Sequence, residues 1–352
     1  MLKITSLQIP EILPHADAIR SFGDNKHSYE PKFWEFQYEI YRYLKQASEE
    51  YLLSRYRSII RNMYALVSTD RHVIPIQSFL SSWYWYRKEH QTRLEFFLRK
   101  MDLPVSPPKG ILNNDRKGAP THPRSPNAGD ILFRYGKIKY MKLMVQHGSI
   151  RIGPASFYRN IESTARADEE CKKISFIPGA YTRIITNEER EVPIRGDVQR
   201  TVSAPNYYML SMSCDWDLSM FDDFSADACV VLRDPERFAE RLEFMSKPQL
   251  DGWYFHHNPI QYFDPYEMQR NQCFDAAMCK DFCFAYQREY RFLWIHTGGK
   301  EAKGFKILEL GPLENITELH IRPQTTNPTI AASVSIPDDA VRLNVGMKNE
   351  KG

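Results

Sequence analysis

Between residues 33 and 67 apolar side chains recur three or four positions apart, at Phe33, Phe36, Ile40, Tyr43, Ala47, Tyr51, Tyr56, Ile59, Met63 and Val67. One face of an α-helix has that spacing, so the pattern predicts a single long amphipathic helix. A second series, Ile76, Leu80, Trp83, His90, Leu94, Phe97 and Met101, follows a polar break at residues 68–71 and predicts an antiparallel return that completes a helical hairpin. Trp83, Tyr84, Trp85 and Tyr86 are consecutive, and rings on every side of a helix exceed what one packing face can bury. The surplus has two uses: packing against the rest of the chain, or a docking surface for a partner chain or exposed bases.

Residues 104–128 hold six prolines among Gly, Asn, Ser and basic residues. Proline at that density blocks helix and central strand alike, which predicts a linker or an ordered crossing loop. After Gly129 the pattern turns to short β-rich runs separated by turn residues. Strands are expected at 131–135, 149–152, 207–213, 228–232, 253–255, 282–284, 289–295, 305–310 and 316–321, and helices at 139–147, 235–245 and 266–280. The ordering is α+β with a mainly antiparallel sheet. Three parts follow: an aromatic-rich helical domain over 1–103, a Pro-rich linker over 104–128 and a β-rich domain over 129–352.

Composition narrows the options. The longest apolar runs fall far short of the roughly 18 residues of a membrane span, and the N-terminus lacks a secretory pattern, so a cytoplasmic location is expected. Net charge is only +3 over 352 residues, with 15 Lys/Arg against 12 Asp/Glu in 1–103, 4 against 1 in 104–128 and 28 against 31 beyond. That balance excludes a protein that coats DNA by bulk charge. Six cysteines are too few and too unevenly spaced for a disulfide scaffold. Cys273, Cys279 and Cys283 with His256 and His257 invite a zinc reading but lack the usual Cys-x2-Cys hook, and buried thiols are the simpler expectation. Asp215, Asp217, Asp222, Asp223 and Asp227 form an acidic cluster that suits either Mg²⁺ in a nuclease or plain solvation in a loop. No Gly-rich phosphate loop is present, so any nucleotide is held in another way.

Three polar groups stand on three expected strands. Arg134 interrupts an apolar run, and a guanidinium there needs an anion, either a structural carboxylate or a ligand phosphate. Ser211 and Ser213 are two apart, so alternation points both hydroxyls to one side. Gln287 and Glu289 share a face by the same rule, and a carboxylate between aromatic residues is a candidate for a raised pKa and a catalytic role. The competing reading has Glu289 paired with Arg288 or Arg291 across the sheet.

In that order, arginine, Ser-x-Ser and Gln-x-Glu resemble the ADP-ribosyltransferase family, in the class that carries these groups on three successive core strands. Residues 132–136, 150–158 and 287–291 are also similar to poorly characterised bacterial domains found in toxin and anti-phage settings. The resemblance spans roughly residues 129–322. It implies that Arg134 holds the phosphate and ribose of NAD, that Ser211, with Ser213 beside it, supports the glutamate and the nicotinamide ribose, that Glu289 is catalytic and that Gln287 faces the acceptor. NAD is then a substrate, and no metal is called for. Breaking the ribose–nicotinamide bond builds oxocarbenium-like charge that one carboxylate can stabilise. Phe221 or Phe224, or else Phe157 or Tyr158, would wall the nicotinamide; Tyr158 and Phe224 are taken as the binding residues. The expected activity is transfer of ADP-ribose to a macromolecule, nucleic acid or protein, by a toxin or defence effector whose front helices meet the target or an antitoxin-like partner. The alternatives are a catalytically inactive binding protein of the same fold and a metal-dependent nuclease.

Overall fold

The computed structural model describes residues 4–8, 31–66, 82–104, 129–160, 169–179, 183–186, 188–266 and 275–322. The front contains strand β1 (Ile4–Gln8) and helices α1 (Pro31–Tyr41), α2 (Glu49–Leu66) and α3 (Ser82–Leu98). The expected single helix over 33–67 is therefore two. Ser48 accepts the Tyr51 N–H at its Oγ (3.2 Å), and Glu49 and Glu50 fill the first turn of α2, a start signal that favours a new helix. The break itself is held from a distance: Arg99 donates to the carbonyls of Ala47 (2.7 Å) and Leu44 (2.6 Å). The expected linker at 105–128 lies outside the described residues.

The chain then runs through β2 (Leu132–Gly136), α4 (Ile138–His147), β3 (Ser149–Pro154), a 3-10 turn (Ala155–Asn160), β4 (Lys172–Ile177), β5 (Arg183–Thr186), β6 (Glu191–Val192), β7 (Val198–Ser203) and β8 (Tyr208–Ser213). It continues with α5 (Ser219–Asp223), β9 (Ala228–Leu232), α6 (Pro235–Ser246), β10 (Trp253–Pro259), β11 (Gln261–Phe263), β12 (Cys279–Asp281), a 3-10 helix (Phe282–Gln287), β13 (Glu289–His296), β14 (Lys306–Glu309) and β15 (Thr317–Ile321). Helix mixed with a mainly antiparallel sheet is the α+β class. Two expectations fail locally. The expected strand at 282–284 is a 3-10 helix, because Asp281 accepts the Cys283 N–H (2.9 Å) and caps it. Of the expected helix over 266–280, residues 275–278 form a turn and Cys279–Asp281 a strand, while 267–274 lie outside the described residues.

The main sheet is forked. Its strands run in the order β10-β13-β8-β2-β9-β15, every pair antiparallel. One edge of β8 serves two strands: β2 joins it only at Phe133↔Ser213, and β3 joins it only at Gly153↔Met209 and Pro154↔Tyr208. β3 carries β14 away with it. The two branches diverge around Ser211, which lies between those pairs.

Alternation explains the core. Leu132, Val230, Leu232, Leu210, Met212, Phe292 and Trp294 bury one face of the sheet with Met141 and Met144 of α4 and Phe238 and Leu242 of α6. On the opposite face, Phe133 and Val231 pack with Trp216 and Phe221. The front helices share their cores with the β-rich part. Tyr84 and Trp85 are buried with Ile59 against Met220, Tyr262, Phe282 and Tyr286, so these two rings take the packing alternative; the side chain of Trp83 lies outside the described residues. A buried ion cluster adds to the join. Arg55 donates to both oxygens of Asp264 (2.8 and 2.6 Å), and Lys88 Nζ lies 2.8 Å from the same carboxylate.

Candidate active site

The fork leaves the carbonyl of Ser211 without a neighbouring strand, and Arg134 Nη1 donates to it at 2.8 Å. The guanidinium is thereby fixed at the mouth of a cavity of about 490 Å³, whose lining includes Tyr158, Ser211, Ser213, Phe224, Gln287 and Glu289. A cavity of that size suits a small-molecule ligand.

Glu289 begins β13, directly beside Ser213 in the register, which places both on the Phe133 face of the sheet. Its Oε1 accepts Ser211 Oγ–H (2.7 Å) and Arg291 Nε–H (2.6 Å), and its Oε2 accepts Lys280 Nζ–H (2.7 Å). An ionised carboxylate has about four acceptor positions, and these three bonds use both oxygens of the buried group. Burial by itself would push this carboxyl up, but Arg291 and then Lys280 outweigh it and hold the group well below the usual carboxylate range. The expected raised pKa is thus reversed. The competing expectation of a Glu289–Arg291 pair is observed, while Arg288 turns instead to Asp215.

Ser213 does not join Ser211 on the carboxylate. Its hydroxyl donates to the carbonyls of Gln287 (2.8 Å) and Asp215 (3.0 Å), alternatives for its one hydrogen, and so ties the turn before β13 to the end of β8. Gln287 is the last residue of the 3-10 helix rather than part of a strand, yet it still lines the cavity. Its Oε1 accepts from Lys280 (3.0 Å), and its Nε2 donates to Tyr286 Oη (3.1 Å). The chain reverses at Arg288, with φ of 47°. That left-handed conformation is unusual for a residue with a side chain. The ion pair to Asp215 and a hydrogen bond to the Ala65 carbonyl of α2 (2.8 Å) hold it.

The aromatic candidates divide. Tyr158 and Phe224 are half-buried and line the cavity, as does the exposed Phe157. Phe221 is fully buried against Tyr135 and Trp216, so it cannot wall a ligand.

Three charged neighbours of Glu289 have no motif to reveal them. Glu170 lies 2.6 Å from Arg291 and 3.8 Å from Lys280, and Lys173 lies 3.5 Å from Glu170. Together with Glu289 these side chains form a buried ionic network, which low dielectric makes strong only while it is complete. The one sequence signal for Lys280 is that it and Asp281 interrupt an otherwise apolar and aromatic run.

The acidic cluster is solvated only in part, with Asp222 exposed and the Asp227 carboxylate about half so. Asp215 is buried and pairs with Arg288, Asp223 pairs with Arg61, Asp222 with Arg322 (2.9 Å), and Asp217 accepts the Ser219 N–H (2.9 Å). Separate partners explain each carboxylate without a shared cation. Among the described residues no group of three His, Cys, Asp or Glu side chains is arranged to hold a metal. Cys273 lies outside them, Cys279 is a buried thiol, and His257 shares a 2.7 Å hydrogen bond with Tyr290 Oη.

The chain matches no protein-family profile, no characterised protein and no solved structure.

Proposed function

We propose that this protein is an NAD-dependent ADP-ribosyltransferase that modifies a macromolecular target, acting as a toxin or defence effector in the cytoplasm. The observation that carries the reading is the Ser211–Glu289 hydrogen bond in a cavity that Arg134 and Gln287 also line. The residues present suit NAD. Arg134 brings a guanidinium to the lining, the group that suits a phosphate, Tyr158 and Phe224 offer flat apolar walls, and Glu289 brings a carboxylate that suits a ribose hydroxyl.

The chemistry NAD supplies is a ribose–nicotinamide bond that breaks with its electron pair leaving on nicotinamide, while an acceptor nucleophile bonds the same carbon and releases its proton. Glu289 keeps a negative charge fixed beside the carbon that becomes positive. Arg291 and Ser211 hold that carboxylate so that it need not reorganise. Lys280 and Tyr286 fix the Gln287 amide beside Glu289, where in this reading it faces the acceptor.

One observation favours a second reading, an inactive binding protein of the same fold: two cations already neutralise Glu289. Nicotinamide release from NAD separates the two. The transferase reading expects release by the wild type that Glu289→Ala abolishes while thermal melting stays cooperative. No release under any condition, with lysate supplied as acceptor source, would leave the binding protein standing.

A further inference from the structure

Among the described residues eleven large hydrophobic side chains are exposed, and five of them, Tyr140, Leu143, Phe157, Phe305 and Ile307, line the cavity that holds Glu289. Scattered exposed apolar groups need no explanation, but that concentration marks a binding surface. The rings are built into place. Phe305 lies across Gly153, where an added Cβ would come within 2.8 Å of the ring, so glycine is what lets it lie flat on the strand. Phe157 meets it edge-on at 4.7 Å, and the Arg151 guanidinium lies 4.6 Å from its centroid. Across the cavity Tyr140 carries the Lys139 ammonium at 4.8 Å.

Residues 131–160 contain six Lys/Arg and no Asp or Glu, in a chain whose net charge is only +3, and Arg134, Lys137 and Arg151 among them line the cavity. Lys137 and Arg159 are near Asp227 (3.8 Å) and Glu169 (3.1 Å). Lys139, Lys142 and Arg151 have no carboxylate partner among the described residues. NAD brings two phosphate charges, and Arg134 already stands where they would enter. The remaining cations and rings exceed what one dinucleotide covers.

Resting on the transferase reading, we infer that the acceptor is a single-stranded nucleic acid, whose bases stack on Phe157, Phe305 and Tyr140 and whose phosphates meet Arg151 and Lys139, the one lining the cavity and the other seated on the Tyr140 ring. Alternating flat rings and cations match alternating bases and phosphates, and unpaired bases alone expose the faces that such rings need.

The test is fluorescence anisotropy of the full-length protein with labelled 12-nucleotide single-stranded RNA and DNA, with and without NAD, alongside a duplex of the same sequence. Binding of a single strand is expected, weakening steeply as salt rises. Phe305→Ala and Phe157→Ala should each weaken it by about 5- to 100-fold. Lys139→Glu and Arg151→Glu, both at exposed positions, should weaken it and flatten the salt slope even if the ring variants fold poorly. Absence of single-strand binding by a protein that does release nicotinamide would overturn this inference and leave the transferase reading intact. So would label from NAD that protease, and not nuclease, removes. Single-strand binding without nicotinamide release would keep the surface and refute the transferase.

Discussion

Asp264→Asn removes one negative charge from a site where two cations depend on it. Arg55 grips the carboxylate with two hydrogen bonds (2.8 and 2.6 Å), Lys88 adds a contact at 2.8 Å, and no side chain in the cluster is more than 1% exposed. Water therefore cannot replace the lost partner. Removing one member of a buried ion pair costs about 3–5 kcal/mol, mostly because the other charge stays buried and uncompensated. At about 2 °C per kcal/mol for a unit of this size, the melting temperature should fall by roughly 6–10 °C. The combined variant Arg55→Met, Lys88→Met, Asp264→Leu should recover most of that loss, since apolar packing offsets the absent ions without desolvation. Differential scanning calorimetry or urea unfolding reads both effects. A loss below about 1 kcal/mol for Asp264→Asn, or no recovery in the triple variant, would refute the claim that this cluster fastens the helices to the β-rich part.

Two further outcomes bear on the site. Ser211→Ala removes a hydrogen bond to an ionised carboxylate, of the kind that contributes about 1.5–3 kcal/mol; kcat for nicotinamide release should fall by about tenfold or more, with KM moving less, and an unchanged kcat would remove Ser211 from the machinery. Glu289 has a folded pKa depressed by Arg291 and Lys280, so its contribution to stability is present above the unfolded value of about 4.3 and is lost as pH falls below it. The stability gap between wild type and Glu289→Gln should shrink in unfolding titrations carried from pH 6 to pH 3, and a gap that widens there would contradict the assigned charge state.

Most strands of the main sheet are legible in the sequence because their apolar runs are local, as in the run from Tyr208 to Ser213. What is held from far along the chain is not. The break between α1 and α2 depends on Arg99, more than fifty residues away, although Ser48 followed by two glutamates was a visible start signal. The 3-10 helix at Phe282–Gln287 reads as a strand by composition, and only its Asp281 cap argues otherwise. The antiparallel pair of β4 and β7, which β5 and β6 separate along the chain, is not legible either.

At the site, Arg134, Ser211, Gln287 and Glu289 were legible because spacing and strand order carry them. Glu170 and Lys280 were not, because each enters from a segment with no motif and acquires meaning only when the fold sets it beside Glu289 and Arg291. That omission explains the error on charge. A glutamate among aromatic residues suggests a raised pKa, and the two cations that reverse it come partly from outside its own strand.

The most direct test of the account is transfer of label from NAD carrying radioactive adenylate, with wild type and the near-isosteric Glu289→Gln in the same lysate. The account expects label on a macromolecule with wild type and a loss of at least a hundredfold with the variant, both proteins melting cooperatively. Equal labelling by the two, or none by the wild type while nicotinamide stays bound in NAD, would contradict it.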